Sequence, residues 1–96
     1  MDELDKINQQ LDALDAAEGA LSSADPSTPY VHDQIERSIT NLQLRLMALS
    51  TAPVIAPLTQ ADMTSLQAAL TALDTAVRQS AGAVQLLQAA TTLASA

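Results

Sequence analysis

From Thr59 onward the apolar positions of this chain keep a helical beat to the end. Met63, Leu66, Leu70, Leu73, Val77, Ser80, Val84, Leu87, Thr91 and Ala94 follow a 3-4-3-4 spacing without a slip. Such spacing holds one stripe against a partner along a helix and produces a coiled-coil-like seam. A second column, Ala69, Ala76, Ala83 and Ala90, runs beside it at intervals of seven. Thr59 and Asp62 form a capping-box variant at its start. The pattern predicts one long C-terminal helix over residues 59–94.

Two shorter helices precede it. Leu4, Ile7, Leu11 and Leu14 repeat at 3-4-3 spacing, and Asp2, Glu3 and Asp5 suit the positive end of the helix dipole. The next seam position is Glu18, followed by Gly19, a common helix terminator. Leu21 prolongs the seam, so the first helix is predicted over residues 2–22. Residues 22–28 form a turn rich in Ser, Asp and Pro. Thr28 then reads as an N-cap with Pro29 in the first turn, opening a second helix over residues 29–50. Its stripe is Val31, Ile35, Ile39, Leu42, Leu46 and Leu49, and Pro53 ends it. The connector to the third helix contains Val54, Ile55 and Leu58, which are expected to plug the end of the bundle, the second reading being an exposed apolar loop that docks a partner. Residues 1–96 thus read as a single all-α domain, a three-helix antiparallel bundle or helical hairpin dominated by its last helix. Its expected core is Leu4, Ile7, Leu11, Leu14, Ile35, Ile39, Leu42, Leu46, Leu49, Leu66, Leu70, Leu73 and Val77.

The third helix would be roughly 50 Å long, against roughly 30 Å for each of the others, leaving its end without cover. That end is peculiar: Arg78 is the last charged side chain of the chain. Beyond Gly82, Leu86 and Leu93 fall on the face opposite Val84 and Leu87, and a helix apolar on two faces is buried on two faces. One solution is a break at Gly82 that folds the tail back on its own chain. The other, favoured by the unbroken seam, is association through Val84, Leu86, Leu87 and Leu93. Ala83 and Ala90 would then permit close approach of a second helix. Leu44 and Tyr30, on the outer side of the second helix near Arg37 and Met47, form a smaller candidate contact patch.

Composition narrows the function classes. The chain has 48% hydrophobic residues but no Phe or Trp and a single Tyr, so its core is thin and aliphatic. Small cores of this kind are commonly supplemented by oligomerisation. A formal net charge of −7, with only four basic residues, argues against nucleic acid and anionic membrane as partners. No stretch is long and apolar enough for a membrane span. The N-terminus, Met1-Asp2-Glu3-Leu4-Asp5, is the opposite of a basic signal-peptide start. The expected location is the cytoplasm, although a specialised secretion system would accept the same residues. Low Lys and high Ala suit a GC-rich bacterial genome or its phage.

Candidate chemistry is sparse. His32 is the only histidine, and Glu36 follows it at i+4 on the same helix face. A catalytic metal site takes three protein ligands and a structural one four, and neither a second His nor any Cys completes the set. No metal or cofactor site is therefore expected, and His32 reads as a local partner of Glu36. Asp12, Asp15 and Glu18 alternate with apolar residues as a solvated helix face does. Seven of the eleven acidic residues precede residue 26, which is too uneven for an extended mimic of nucleic-acid charge. No nucleophile elbow, phosphate-binding glycine loop or small-molecule substrate site is evident. The expectation is a non-enzymatic assembly or interaction protein, as a homo-oligomer or bound to a protein partner. The second reading is a small adaptor, chaperone or inhibitor, for example in a bacterial secretion or phage system.

Overall fold

Four helices, not three, make up the computed structural model, which describes all 96 residues: α1 (Glu3–Gly19), α2 (Thr28–Ser50), α3 (Gln60–Arg78) and α4 (Ala83–Ala94). The starts of α1 and α3 follow the side chains that cap them. Asp2 accepts from the Asp5 backbone N–H at 3.0 Å and the Asp5 carboxylate returns the bond, while Thr59 and Asp62 do the same for α3. Helix α1 stops at Gly19 rather than at residue 22, and Leu21 makes only a tight-turn bond to the Glu18 carbonyl. Helix α2 begins at Thr28, with Ser27 at the N-cap and Pro29 one residue further into the first turn than expected.

The main departure from the sequence pattern lies between α3 and α4. Gln79 caps α3, and Ser80 adopts the left-handed conformation with φ 53°. The Ser80 N–H donates to the Val77 carbonyl at 3.2 Å and the Ala81 N–H to the Ala76 carbonyl at 3.0 Å. These two bonds form a Schellman motif, with serine in the place glycine usually occupies. Gly82 is not the left-handed residue; it sits in an extended conformation as the N-cap of α4. The predicted continuous helix over 59–94 is therefore broken, and the tail turns back along its own chain.

Polar groups on α1 and on the turn after it fix where α4 lies. Gly82 has no side chain to cap the helix, and Asp25 from the α1–α2 turn accepts from the Ala83 N–H at 2.9 Å instead. At the other end Gln10, fully buried on α1, donates from Nε2 to the Leu93 carbonyl at 2.8 Å. That carbonyl is one of the last four of α4, which have no partner within the helix. Helix α4 therefore runs antiparallel to α1. Because Leu58 donates its N–H to the Met1 carbonyl, α3 starts beside the start of α1. The four helices alternate in direction, α1 and α4 are in contact across the centre, and α2 and α3 flank them without packing on each other.

One core cluster draws on every helix. It contains Ile7, Leu14 and Ala17 from α1 and Val31, Ile35, Ile39 and Leu42 from α2. Helix α3 adds Leu66, Ala69 and Leu73, and α4 adds Ala83, Leu86, Ala90 and Leu93. The alanine column does permit close helix approach, but the two helices are α3 and α4 of one chain. Its members Ala69, Ala83 and Ala90 are buried and Ala76 packs against the cluster. Leu4, Leu11, Leu46, Leu49, Leu70 and Val77, expected in the core, are only half-buried. The buried face of α1 is rotated toward Gln10 and Ala17, where α4 packs.

Candidate functional sites

The eight residues expected at an interface are divided by the fold-back. Leu86, Leu93, Ala83 and Ala90 are buried within the chain and have no surface to offer a partner. The cover that an uncharged two-faced helix requires is supplied by α1, α2 and α3. Leu87 is half-buried against the core and Val84 remains 50% exposed. Tyr30 and Leu44 are both exposed on α2, 14 residues apart, which is roughly 21 Å along the helix. They do not form one patch.

A different apolar surface emerges at the end of the bundle remote from the α1–α2 turn. Twelve-residue α4 spans about 18 Å, while 23-residue α2 spans about 35 Å, so α4 covers only about half the bundle's length. Beyond it lie Met1 and Leu4, the last turns of α2, the connector, and the first turn of α3. Leu44 is 59%, Met47 66% and Val54 82% exposed, and Met1 is also exposed. Leu46, Leu49, Ile55, Leu58 and Met63 are half-buried. The expected plug is thus only partial: Ile55 and Leu58 are partly covered, whereas Val54 faces solvent. Leu44 and Met47, one turn apart, share the outer face of α2, and Arg45 between them reaches Glu3 at 3.2 Å.

At the opposite end, the α1–α2 hairpin assembles a cluster of a different character. Glu18 occupies the last turn of α1, and the short turn brings it over the first turns of α2. There its Oε2 lies 3.0 Å from Nε2 of His32, which is itself 4.0 Å from Glu36 Oε1. Ligand-capable atoms of the three side chains all lie within 4.8 Å of one another. The Glu18 side chain is largely covered, while those of His32 and Glu36 are about half exposed. Close as it is to His32, Glu18 Oε2 is shielded from solvent and makes no hydrogen bond. Burial pushes the Glu18 carboxyl up to about 7, helped by the neighbouring Glu36 carboxyl and by the negative charge of Asp15.

The i,i+4 spacing of His32 and Glu36 offers two ligands on one helix face, too few for a metal site on their own. The structure brings a third ligand-capable side chain, Glu18 of α1, beside them. The signal was present, because Glu18 occupies the seam position after Leu14, and a carboxylate on an apolar seam is carried toward the neighbouring helix. Asp25 lies in the turn expected over residues 22–28, and its role needs the position of α4. Two backbone N–H groups, from Ala83 first and Ser27 second, hold its carboxyl below the usual range.

Comparison with models of known protein families, with curated proteins and with solved structures finds no match, so the functional reading stands on this geometry.

Proposed function

We propose that this chain is a non-enzymatic helical interaction module that associates with a second copy of itself through the open end of the bundle. The observation that carries the reading is the exposure of Leu44, Met47 and Val54 at the end that α4 does not reach. Large apolar side chains left exposed at one end of a small domain suit an association surface. A thin aliphatic core of 14 buried residues gains stability from such a contact.

Charge supports a second copy as the occupant. The open end carries Asp2, Glu3, Asp5 and Asp62 against Lys6 and Arg45, whereas the rest of the chain has seven acids against two bases. Asp2, Asp5 and Asp62 also sit at helix N-termini, where the dipole offsets their charge. Two copies repel least when they meet at this end. An isologous contact needs only one patch that is complementary to itself.

Sedimentation equilibrium over a range of concentrations tests the proposal. The wild-type chain is expected to dimerise, and Leu44→Asp or Met47→Asp to be monomeric with unchanged helicity, because an unpaired charge in a dry contact is costly. Val84→Asp, on α4, should leave the dimer intact. A wild-type chain that stays monomeric at high concentration would refute self-association, and the same patch would then favour the adaptor reading with another protein as partner.

A further inference from the structure

We propose that Glu18, His32 and Glu36 form a binding site for one first-row divalent transition-metal ion, with Zn2+ as its probe, that clamps the end of α1 to the start of α2. The donor set is one imidazole nitrogen and two carboxylates, drawn from two helices. Such a mixed set suits zinc and its neighbours, whereas calcium and magnesium favour oxygen alone.

Distances fit the proposal. Two donors on one zinc ion, at about 2.0–2.2 Å each, can be separated by no more than about 4.4 Å. Glu18 to His32 at 3.0 Å and His32 to Glu36 at 4.0 Å already satisfy that limit. The remaining carboxylate separation, within 4.8 Å, closes by rotation of the exposed Glu36 side chain. Glu18 Oε2, out of reach of solvent and without a hydrogen bond, is the donor that gains most from an ion.

Charge fits as well. Two carboxylates and a neutral imidazole balance a dication. No Lys or Arg pairs with Glu18 or Glu36, since Arg37 is engaged by Asp33 at 3.4 Å. The last turn of α1 has no basic residue to complement its negative dipole end, and the ion takes that place. The exposed sides of His32 and Glu36 leave the remaining coordination positions to water. This donor set is an ion clamp, and no reaction is assigned to it.

Zinc titration of the full chain tests the inference, followed by calorimetry and by the resonances of its only imidazole. The expected result is one ion per chain, displacement of the His32 ring signals, and a higher Tm with zinc than without. Loss of a mere outer-shell partner weakens metal sites about 10–100-fold, so Glu18→Gln and His32→Ala should each weaken binding by at least about tenfold. Asp12→Asn, on the solvated side of α1, should bind as the wild type does. Circular dichroism of each variant without metal establishes that it is folded. Unchanged affinity in folded Glu18→Gln, zinc binding that leaves the His32 signals in place, or calcium binding as tightly as zinc would each overturn the proposal.

Discussion

Leu86 separates a folded-back tail from a protruding one. It is 1% exposed and belongs to the core cluster, while Val84, two residues earlier on the same helix, is half exposed. Truncating a buried leucine to alanine costs about 2–5 kcal/mol, the transfer of the lost carbons plus the cavity they leave. A domain of this length has a total stability of about 5–15 kcal/mol, so Leu86→Ala should remove a large part of it. Val84→Ala deletes two methyl-sized groups, worth about 0.8 kcal/mol each when fully buried. Half exposure roughly halves that sum, leaves no closed cavity, and is partly offset by the better helix propensity of alanine. The expected loss at Val84 is below about 1 kcal/mol. Urea denaturation followed at 222 nm gives both values, with unchanged slopes confirming comparable unfolding. A loss under about 1 kcal/mol for Leu86→Ala, or a larger loss at Val84 than at Leu86, would refute the placement of α4.

Three further outcomes follow from individual groups. Ser80→Gly removes the strain of a left-handed serine and should stabilise the chain by up to about 1 kcal/mol, measured by the same denaturation; a destabilised variant would argue against the Schellman turn. Gln10→Ala deletes a buried bond to the Leu93 carbonyl and should cost about 1–3 kcal/mol, with hydrogen exchange rising first at the end of α4; unchanged exchange there would contradict the anchor. Glu18 binds its proton more tightly when folded, so its contribution to stability is full below its unfolded value of 4.5 and is lost as pH rises to about 7, with a slope of at most about 1.4 kcal/mol per pH unit. Glu18→Gln should flatten that decline in metal-free buffer, and an unaltered pH profile would contradict the burial of Glu18 beside Glu36 and Asp15.

The helical periodicity made α1, α2 and α3 legible, together with Ile7, Leu14, Ile35, Ile39, Leu42, Leu66 and Leu73 of the core. It concealed the break because the 3-4 seam passes through Ser80 in phase. No proline marks the turn, and the residue that takes the left-handed conformation is a serine. Local pattern cannot distinguish a continuous helix from two helices joined by a link that preserves the beat. The two-faced tail was the visible clue: Ala83, Leu86, Ala90 and Leu93 form their own 3-4-3 stripe, one residue out of register with Val84 and Leu87. Gln10 and Asp25 were illegible for a related reason. Each is a polar residue whose role comes from α4, 83 and 58 residues away along the chain. The Glu18–His32–Glu36 cluster was half legible, since i,i+4 spacing gives His32 and Glu36, but the third member depends on how the hairpin closes.

The return of α4 along its own chain closes the four-helix core and leaves the far end of the bundle open, and one distance tests it. Ser65 on α3 and Ser95 just after α4 are both exposed and line the same groove. The chain has no cysteine, so Ser65→Cys and Ser95→Cys together accept a pair of spin labels and nothing else does. On a continuous helix the two sites would lie about 45 Å apart, 30 residues at 1.5 Å each. In the folded-back chain they are neighbours, and strong dipolar broadening is expected in a sample diluted with unlabelled protein. A distance distribution centred near 45 Å would contradict the four-helix fold and return the tail to the role of a protruding arm.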